Sequence, residues 1–302
     1  MNDEVRTKKE LSETRGKKTG VKIMLLMLKI MGVNRACEFC WVISLFYVLF
    51  DRTARKCASY YLERRFPACG PFRRFYHTWA MFTSQGQALI EAAASSSGQM
   101  TIVRRGYEHM EEALAQPNGV ILVCSHFGQW QGMMRTIDIR NRPAHLLIRP
   151  DRNANVDKFM AVNDIKEHIH IISAESEMGG ILDAYNALLQ GDVVCMMGDR
   201  CRENESARIP FLGASARFPL AAFLLSSRTG APVIPIFAYR ERRHRQMTIC
   251  FLDPILPAGR RIRREELRPK VELYVAELEK MALEHPYECF IFENIWSEEE
   301  SK

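Results

Sequence analysis

The chain has 302 residues, of which 47% are hydrophobic and 26% charged, and it carries a net charge of +6. That length suits one large α/β unit with an appendage, and that composition excludes a disordered or fibrous chain. Nine cysteines without framework spacing exclude a disulfide scaffold and fit a reducing compartment.

Residues 1–20 are polar and charged and read as a flexible tail without a cleavable signal peptide. Two apolar runs follow, residues 21–33, interrupted by Lys22 and Lys29, and residues 39–50. Neither reaches the roughly 18–20 apolar residues of a standard membrane span. Both lead into basic residues, and Trp41 and Tyr47 are types that favour membrane interfaces. The expected structure is a helical hairpin or amphipathic pair lying on, or dipping into, a cytoplasmic leaflet. The plainer alternative is a helix packed on the domain. Cys37 and Cys40 form a lone C-x-x-C in this region with no second pair, a poor match to a metal or redox site.

Helices are expected at residues 52–66 and 72–94, on either side of a Pro67/Gly70/Pro71 break. Residues 21–98 therefore read as an N-terminal helical membrane-association segment. From Gln99 the texture changes. Strands are predicted at 101–104, 119–124, 144–148, 169–172, 192–196, 215–218, 233–238 and 247–252. Helices are predicted at 107–115, 129–137, 156–164, 180–189, 219–229 and 265–284. The alternation argues for an α/β fold over residues 99–302, a mixed, largely parallel sheet flanked by helices on both faces.

Basic residues cluster at Arg52/Arg55/Lys56, Arg64/Arg65, Arg73/Arg74, Arg240 to Arg245 and Arg260 to Arg268. Such clusters suit anionic headgroups or an acidic protein partner, and they serve equally well as solvated faces balanced by local Glu. Aromatic residues are not interleaved with them and no groove-reading motif is present, so nucleic acid is not an expected partner.

Four constellations can carry chemistry. The first is Ser125-His126-Phe127-Gly128-Gln129-Trp130-Gln131, after the apolar run Val120 to Cys124. It puts an imidazole at the carboxyl end of a buried strand and near a helix start, where open α/β sheets build their sites. A neutral imidazole there can take a proton from a hydroxyl or amine nucleophile. A lone histidine is more often structural, but the small Ser125 and Gly128 give access. The second is Gly198-Asp199-Arg200 at the next strand end; Asp199 suits either a helper of the base or a turn aspartate. The third is Pro210-Phe211-Leu212-Gly213, where Gly213 permits close approach of backbone to a ligand. The fourth is Arg149-Pro150-Asp151-Arg152, where Arg149 can grip a phosphate or stabilise an oxyanion.

Together these residues resemble the glycerolipid acyltransferase superfamily, and within it the lipid A biosynthesis (lauroyl/myristoyl) branch. The His-x4-carboxylate block of that branch corresponds to His126 through Gln131. Ile148-Arg149-Pro150, the glycine-led strand from Gly191 to Asp199, Pro210 to Gly213, Thr229 to Pro235, and the closing His285-Pro286 with Phe290, Phe292 and Trp296 follow in the family's order. The resemblance covers residues 35–296. It implies a glycerolipid acyltransferase-like fold and transfer of a fatty acyl group from an acyl-carrier-protein or CoA thioester to a lipid acceptor. It also implies His126 as general base, with Arg149 and Asp199 assisting, and substrate contacts from Gly128, Trp130, Arg200, Phe211 and Gly213. It implies a place on the cytoplasmic face of the inner membrane and no metal or redox cofactor. The chain departs from the pattern at one position. Gln131 stands where the family has its carboxylate. An amide can orient the imidazole but cannot stabilise imidazolium by charge. The alternative implied by that departure is a non-catalytic relative that binds lipid or carrier protein. Asp199, or less favourably Asp138, is the candidate replacement.

Overall fold

The computed structural model of the chain describes residues 18–96, 98–137, 139–140, 142–148, 169–173, 180–200, 206–241, 246–259 and 263–297. Three helices come first: α1 (Lys18–Phe50), α2 (Arg52–Arg65) and α3 (Pro71–Ser96). The two apolar runs lie on two helical stretches joined at a kink at Gly32, where φ is 72° and ψ 174° and the backbone is not helical. Glycine accepts that backbone at no steric cost, and the hydrogen-bond ladder breaks there. The polar stretch between the runs stays helical because its alternate sides have different tasks. Val33, Ala36, Cys37 and Cys40 pack against Ile90 and Ala94 of α3, while Arg35 and Glu38 pair on the outer face at 3.3 Å. Leu26–Phe50 is long and apolar enough to cross a membrane, although a third of that stretch is buried against the protein.

Local chemistry sets where these helices end. Arg55 reaches back to the carbonyls of Val48 and Leu49, satisfying acceptors that the end of α1 leaves open. The Asp51 carboxylate accepts from the Ala54 N–H at 2.8 Å and starts α2.

The remainder is the expected alternation. β1 (Thr101–Arg105), α4 (Tyr107–Leu114), β2 (Val120–Cys124), α5 (Trp130–Thr136), β3 (Ala144–Ile148) and β4 (Ile169–Ser173) are followed by α6 (Ile181–Leu189) and β5 (Val193–Met197). Then come β6 (Ser206–Phe211), β7 (Ala214–Pro219), α7 (Ala221–Thr229), β8 (Val233–Arg240), β9 (Gln246–Phe251), a 3-10 turn (Arg264–Leu267) and α8 (Arg268–Glu284). The helix expected at 156–164 lies outside the described residues.

Seven strands form one sheet in the order β1-β9-β8-β2-β5-β3-β4. Every neighbouring pair is parallel except β8 with β9. β2 lies in the middle and all five of its residues are buried, as a strand covered on both faces requires. Its side chains alternate accordingly. Ile121 and Val123 join the core beneath α6, α7 and α8, while Val120, Leu122 and Cys124 join the core beneath α4 and α5. β6 and β7 form a separate antiparallel hairpin that packs on α8.

Candidate active site

The register of β2 against β5 creates the site. Cys124 lies opposite Met197, so the chain leaves both strands side by side, with Ser125-His126 beside Gly198-Asp199. The strand ends are held tightly. The Cys124 carbonyl accepts from the Gly198 N–H at 2.7 Å and from the Tyr274 hydroxyl at 3.1 Å. Glycine is required at 198, because a Cβ there would come within 2.7 Å of the Tyr274 ring and hydroxyl.

Asp199 is 1% exposed and points at His126. Its carboxylate accepts from the His126 backbone N–H at 2.9 Å and lies 3.0 and 3.1 Å from Nδ1. Burial pushes the Asp199 carboxyl up. The adjacent imidazole, the hydrogen bonds from His126 and the nearby Arg200 outweigh burial and hold it below its ordinary value. An ionised carboxylate can only accept, so Nδ1 carries a proton, and in the neutral ring that leaves the lone pair on Nε2. Among the described residues Nε2 has no hydrogen-bond partner. The His126 side chain is 19% exposed, and the Trp130 ring meets it edge-on with centroids 5.2 Å apart.

Gln131 stands elsewhere in this arrangement. It lies in the first turn of α5, and among the described residues it makes no hydrogen bond to His126. The group on Nδ1 is Asp199, from a different strand. α5 is only seven residues long, so it offers the imidazole little helix-terminus field.

The loop that carries His126 is fixed group by group. The His126 carbonyl accepts from the Phe290 N–H at 2.8 Å, Gly128 N–H donates to the Glu288 carbonyl at 2.7 Å, and Gln129 N–H donates to the Ala238 carbonyl at 2.9 Å. Gly128 has φ 51°, and a Cβ there would stand 2.1 Å from the Ala238 oxygen and 2.7 Å from a Glu288 carboxylate oxygen. The Gln129 side chain donates to Glu91 Oε2 of α3 at 2.6 Å. Its own Oε1 is buried without a partner among the described residues, which costs about 1–3 kcal/mol.

Other proposed contacts fall in different places. Arg200 is part-exposed and 3.7 Å from Glu293. Phe211 has no exposed surface and stacks on Trp296, whose indole N–H donates to the Phe211 carbonyl at 3.1 Å. Phe211, an expected substrate contact, therefore has a core role in this structure. Gly213 follows Leu212 in the two-residue turn of the β6–β7 hairpin, with φ values of 76° and 50°. Two left-handed residues are what such a turn needs, so the turn accounts for this glycine without a ligand. Arg149, Arg152 and Asp138 lie outside the described residues.

Residues 8–256 match the family model of bacterial lipid A biosynthesis acyltransferases. The chain belongs to that family. It is an acyltransferase, and the family's chemistry is acyl transfer to lipid. No curated protein matches it. Among solved structures it is similar to a 1-acyl-sn-glycerophosphate acyltransferase from Thermotoga maritima, at 15% identity and a TM-score of 0.40, covering 80% of this chain and 96% of that one.

The residues of this acyltransferase that sequence reading passed over are Glu91, Gln129, Tyr274, Glu288 and, in part, Arg240. Arg240 was grouped with a surface patch. It is instead nearly buried and ion-paired with Glu91 at 2.7 Å. The available signal was Glu91 itself, a lone carboxylate in the apolar and small-residue stretch Ala88 to Ala94. Other arginines also have structural tasks. Arg65 donates to the Ala282 and Leu283 carbonyls at the end of α8, and Arg64 lies over the Trp296 ring. Arg242, Arg243, Arg245, Arg260 and Arg261 lie outside the described residues.

Proposed function

We propose that the enzyme moves a fatty acyl group from an acyl-carrier-protein or CoA thioester to a hydroxyl or amine of a lipid A precursor or related lipid. His126 acts as general base and Asp199 as its orienting partner. The observation that carries this reading is the Asp199 carboxylate on Nδ1 of His126. It supplies from β5 the charge that Gln131 cannot supply.

In the proposed cycle Nε2 removes the acceptor proton as the acceptor oxygen or nitrogen attacks the thioester carbonyl. Asp199 stabilises the resulting imidazolium and keeps the ring in the tautomer that leaves Nε2 free. The tetrahedral oxyanion collapses, the carbon–sulfur bond breaks, and the imidazolium proton goes to the departing thiolate. Arg149 is the proposed oxyanion partner, because its guanidinium charge follows a strand of the same sheet. No metal or redox cofactor is needed for these steps.

The site serves a lipid, and the outer surface of α1 supports a seat on the cytoplasmic face of the inner membrane. Ile30, Val42, Phe46, Leu49 and Phe50 are exposed, as are Phe72, Phe75 and Tyr76 at the start of α3. Arg52, Lys56, Arg73 and Arg74 are exposed beside them, which suits anionic headgroups. The deciding experiment is product analysis by mass spectrometry with carrier-bound and CoA-bound donors, comparing wild type with His126→Ala. Transfer by wild type and none by the variant is expected. A wild type that transfers nothing removes the catalytic reading and leaves a lipid- or carrier-binding relative. A fully active variant removes the role given to His126.

A further inference from the structure

The polar groups beneath the His126 loop form a closed circuit. The Gln129 amide donates to Glu91 Oε2 at 2.6 Å, and Arg240 Nε donates to both oxygens of that carboxylate at 2.7 and 2.9 Å. The backbone N–H of Arg240 donates to Glu288 Oε2 at 3.1 Å. The Glu288 carbonyl takes the N–H of Gly128, which returns the circuit to the loop. The Arg240 guanidinium also reaches the carbonyl and hydroxyl of Ser84 on α3. Both carboxylates are more than nine-tenths buried.

The placement of this circuit is informative. It joins three separated parts of the chain, α3, the end of β8 and the segment after α8, and all converge on the two residues that follow His126-Phe127. The Gln129 side chain is the hydrogen-bonded link from this loop to α3, and Gln129 is also where α5 begins. The next residue, Trp130, packs on the imidazole. A shift at Gln129 therefore moves both the loop and the ring that flanks the base. Burial of charge gives little stability that apolar side chains of the same size would not give, so stability alone does not account for this circuit.

We propose that Glu91 and Arg240 are positioning residues that act through Gln129 to keep Nδ1 of His126 on Asp199 and Nε2 toward the acceptor. The inference rests on the reading of His126 as the base. It predicts that the circuit governs turnover while leaving acceptor affinity alone. A misplacement of about 1 Å at a reacting group costs on the order of 100-fold in rate.

The test uses Gln129→Met, which keeps volume, removes the link and leaves the Glu91–Arg240 pair intact. Expected results are a kcat lower by about 10- to 100-fold, a KM for acceptor within about twofold of wild type, and a nearly unchanged melting temperature. The 15N shifts of the labelled His126 ring should report Nδ1–H alone in wild type and a mixture with the Nε2–H form in the variant. A kcat within about twofold of wild type together with an unchanged ring spectrum overturns the proposal. If Gln129→Met fails to fold, the triple variant Glu91→Met, Gln129→Met and Arg240→Met replaces the three linked side chains by apolar groups, and the same two measurements decide. If wild type transfers no acyl group, the acyl-transfer reading falls, and the ring spectra still decide whether the circuit sets the imidazole.

Discussion

Around the His126 loop the molecule buries charge: Asp199, Glu91 and Glu288 are each less than a tenth exposed, and each has a hydrogen-bonded partner. Along α1 and the start of α3 it exposes hydrocarbon, with Ile30, Phe50 and Phe72 each more than two-thirds exposed. The two regions depart from the usual partition in opposite senses. Buried charge is costly unless every group is paired, and exposed apolar area is costly unless something other than water covers it. The first region meets its condition within the chain at Asp199 and Glu91, while at Glu288 burial outweighs the opposing Arg240 charge. The second meets it only with an outside partner, and a bilayer is the partner that the proposed function supplies. α3 belongs to both regions, since Phe72 opens it and Glu91 lies near its end.

The largest expected effect breaks the first region. Asp199→Asn keeps the shape of the side chain and removes its charge, and turnover should fall by about 10³- to 10⁴-fold. Single-turnover acyl transfer would measure it, and a loss under tenfold would take the orienting role away from Asp199. The second region is tested by Phe46→Ser, Phe50→Ser and Phe72→Ser together. Burying one such side chain stabilises by about 1.5–3 kcal/mol, so partition into anionic vesicles should fall by at least about 100-fold. Melting in detergent-free buffer should hardly change, because these rings have no core to lose. Vesicle binding that survives the triple change would sever α1 from the membrane.

A smaller effect concerns protons. Burial is the main cause that pushes the Glu288 carboxyl up from 4.5 to about 7, with Arg240 opposing it. The fold therefore binds a proton that the unfolded chain has released. Stability from this group is present below about pH 4.5 and is lost as pH rises through about 7. Glu288→Gln keeps the acceptor oxygen and cannot ionise. It should melt about 3–5 °C above wild type at pH 8, with the gap closing toward pH 5. A gap that stays constant across that range would contradict the assignment. The smallest effect is expected at Gln131→Glu. Since Asp199 already holds Nδ1, restoring the family carboxylate should change kcat by less than about threefold. A tenfold rise would return Gln131 to the place beside the imidazole.

These contrasts also show what one sequence discloses. The sheet was legible because β2, β5 and β8 are unbroken apolar runs bounded by turn residues, and β3 and β4 needed only their alternation. β6 was missed because Pro210 and Gly213 read as a ligand-binding block, when Gly213 was the turn of a hairpin. The break in α1 was placed between the two apolar runs, because Asn34, Arg35 and Glu38 look like an interruption. On a helix those three share the outer face, and the true break is the glycine at 32. His126 was identifiable from its strand end. Its partner was legible only as one candidate, Asp199 beside Asp138, because a short spacing drew attention to Gln131. The contact with Asp199 spans 73 residues and exists only through the parallel register of β2 and β5. The Glu91 circuit was hidden for the same reason: its members lie far apart in the chain, and only Glu91 looked out of place.

Gly128 sets a boundary for anyone who would redesign this catalyst. With the Ala238 oxygen 2.1 Å from where a side chain would begin, no alternative residue fits unless β8 moves, and β8 is paired on both sides. The residue next but one to His126 is thus locked to the centre of the sheet. Libraries aimed at new acyl donors or acceptors should leave residues 125–129 untouched. Variation belongs at positions such as Gln131, which is only half-buried and lies in the first turn of a seven-residue helix.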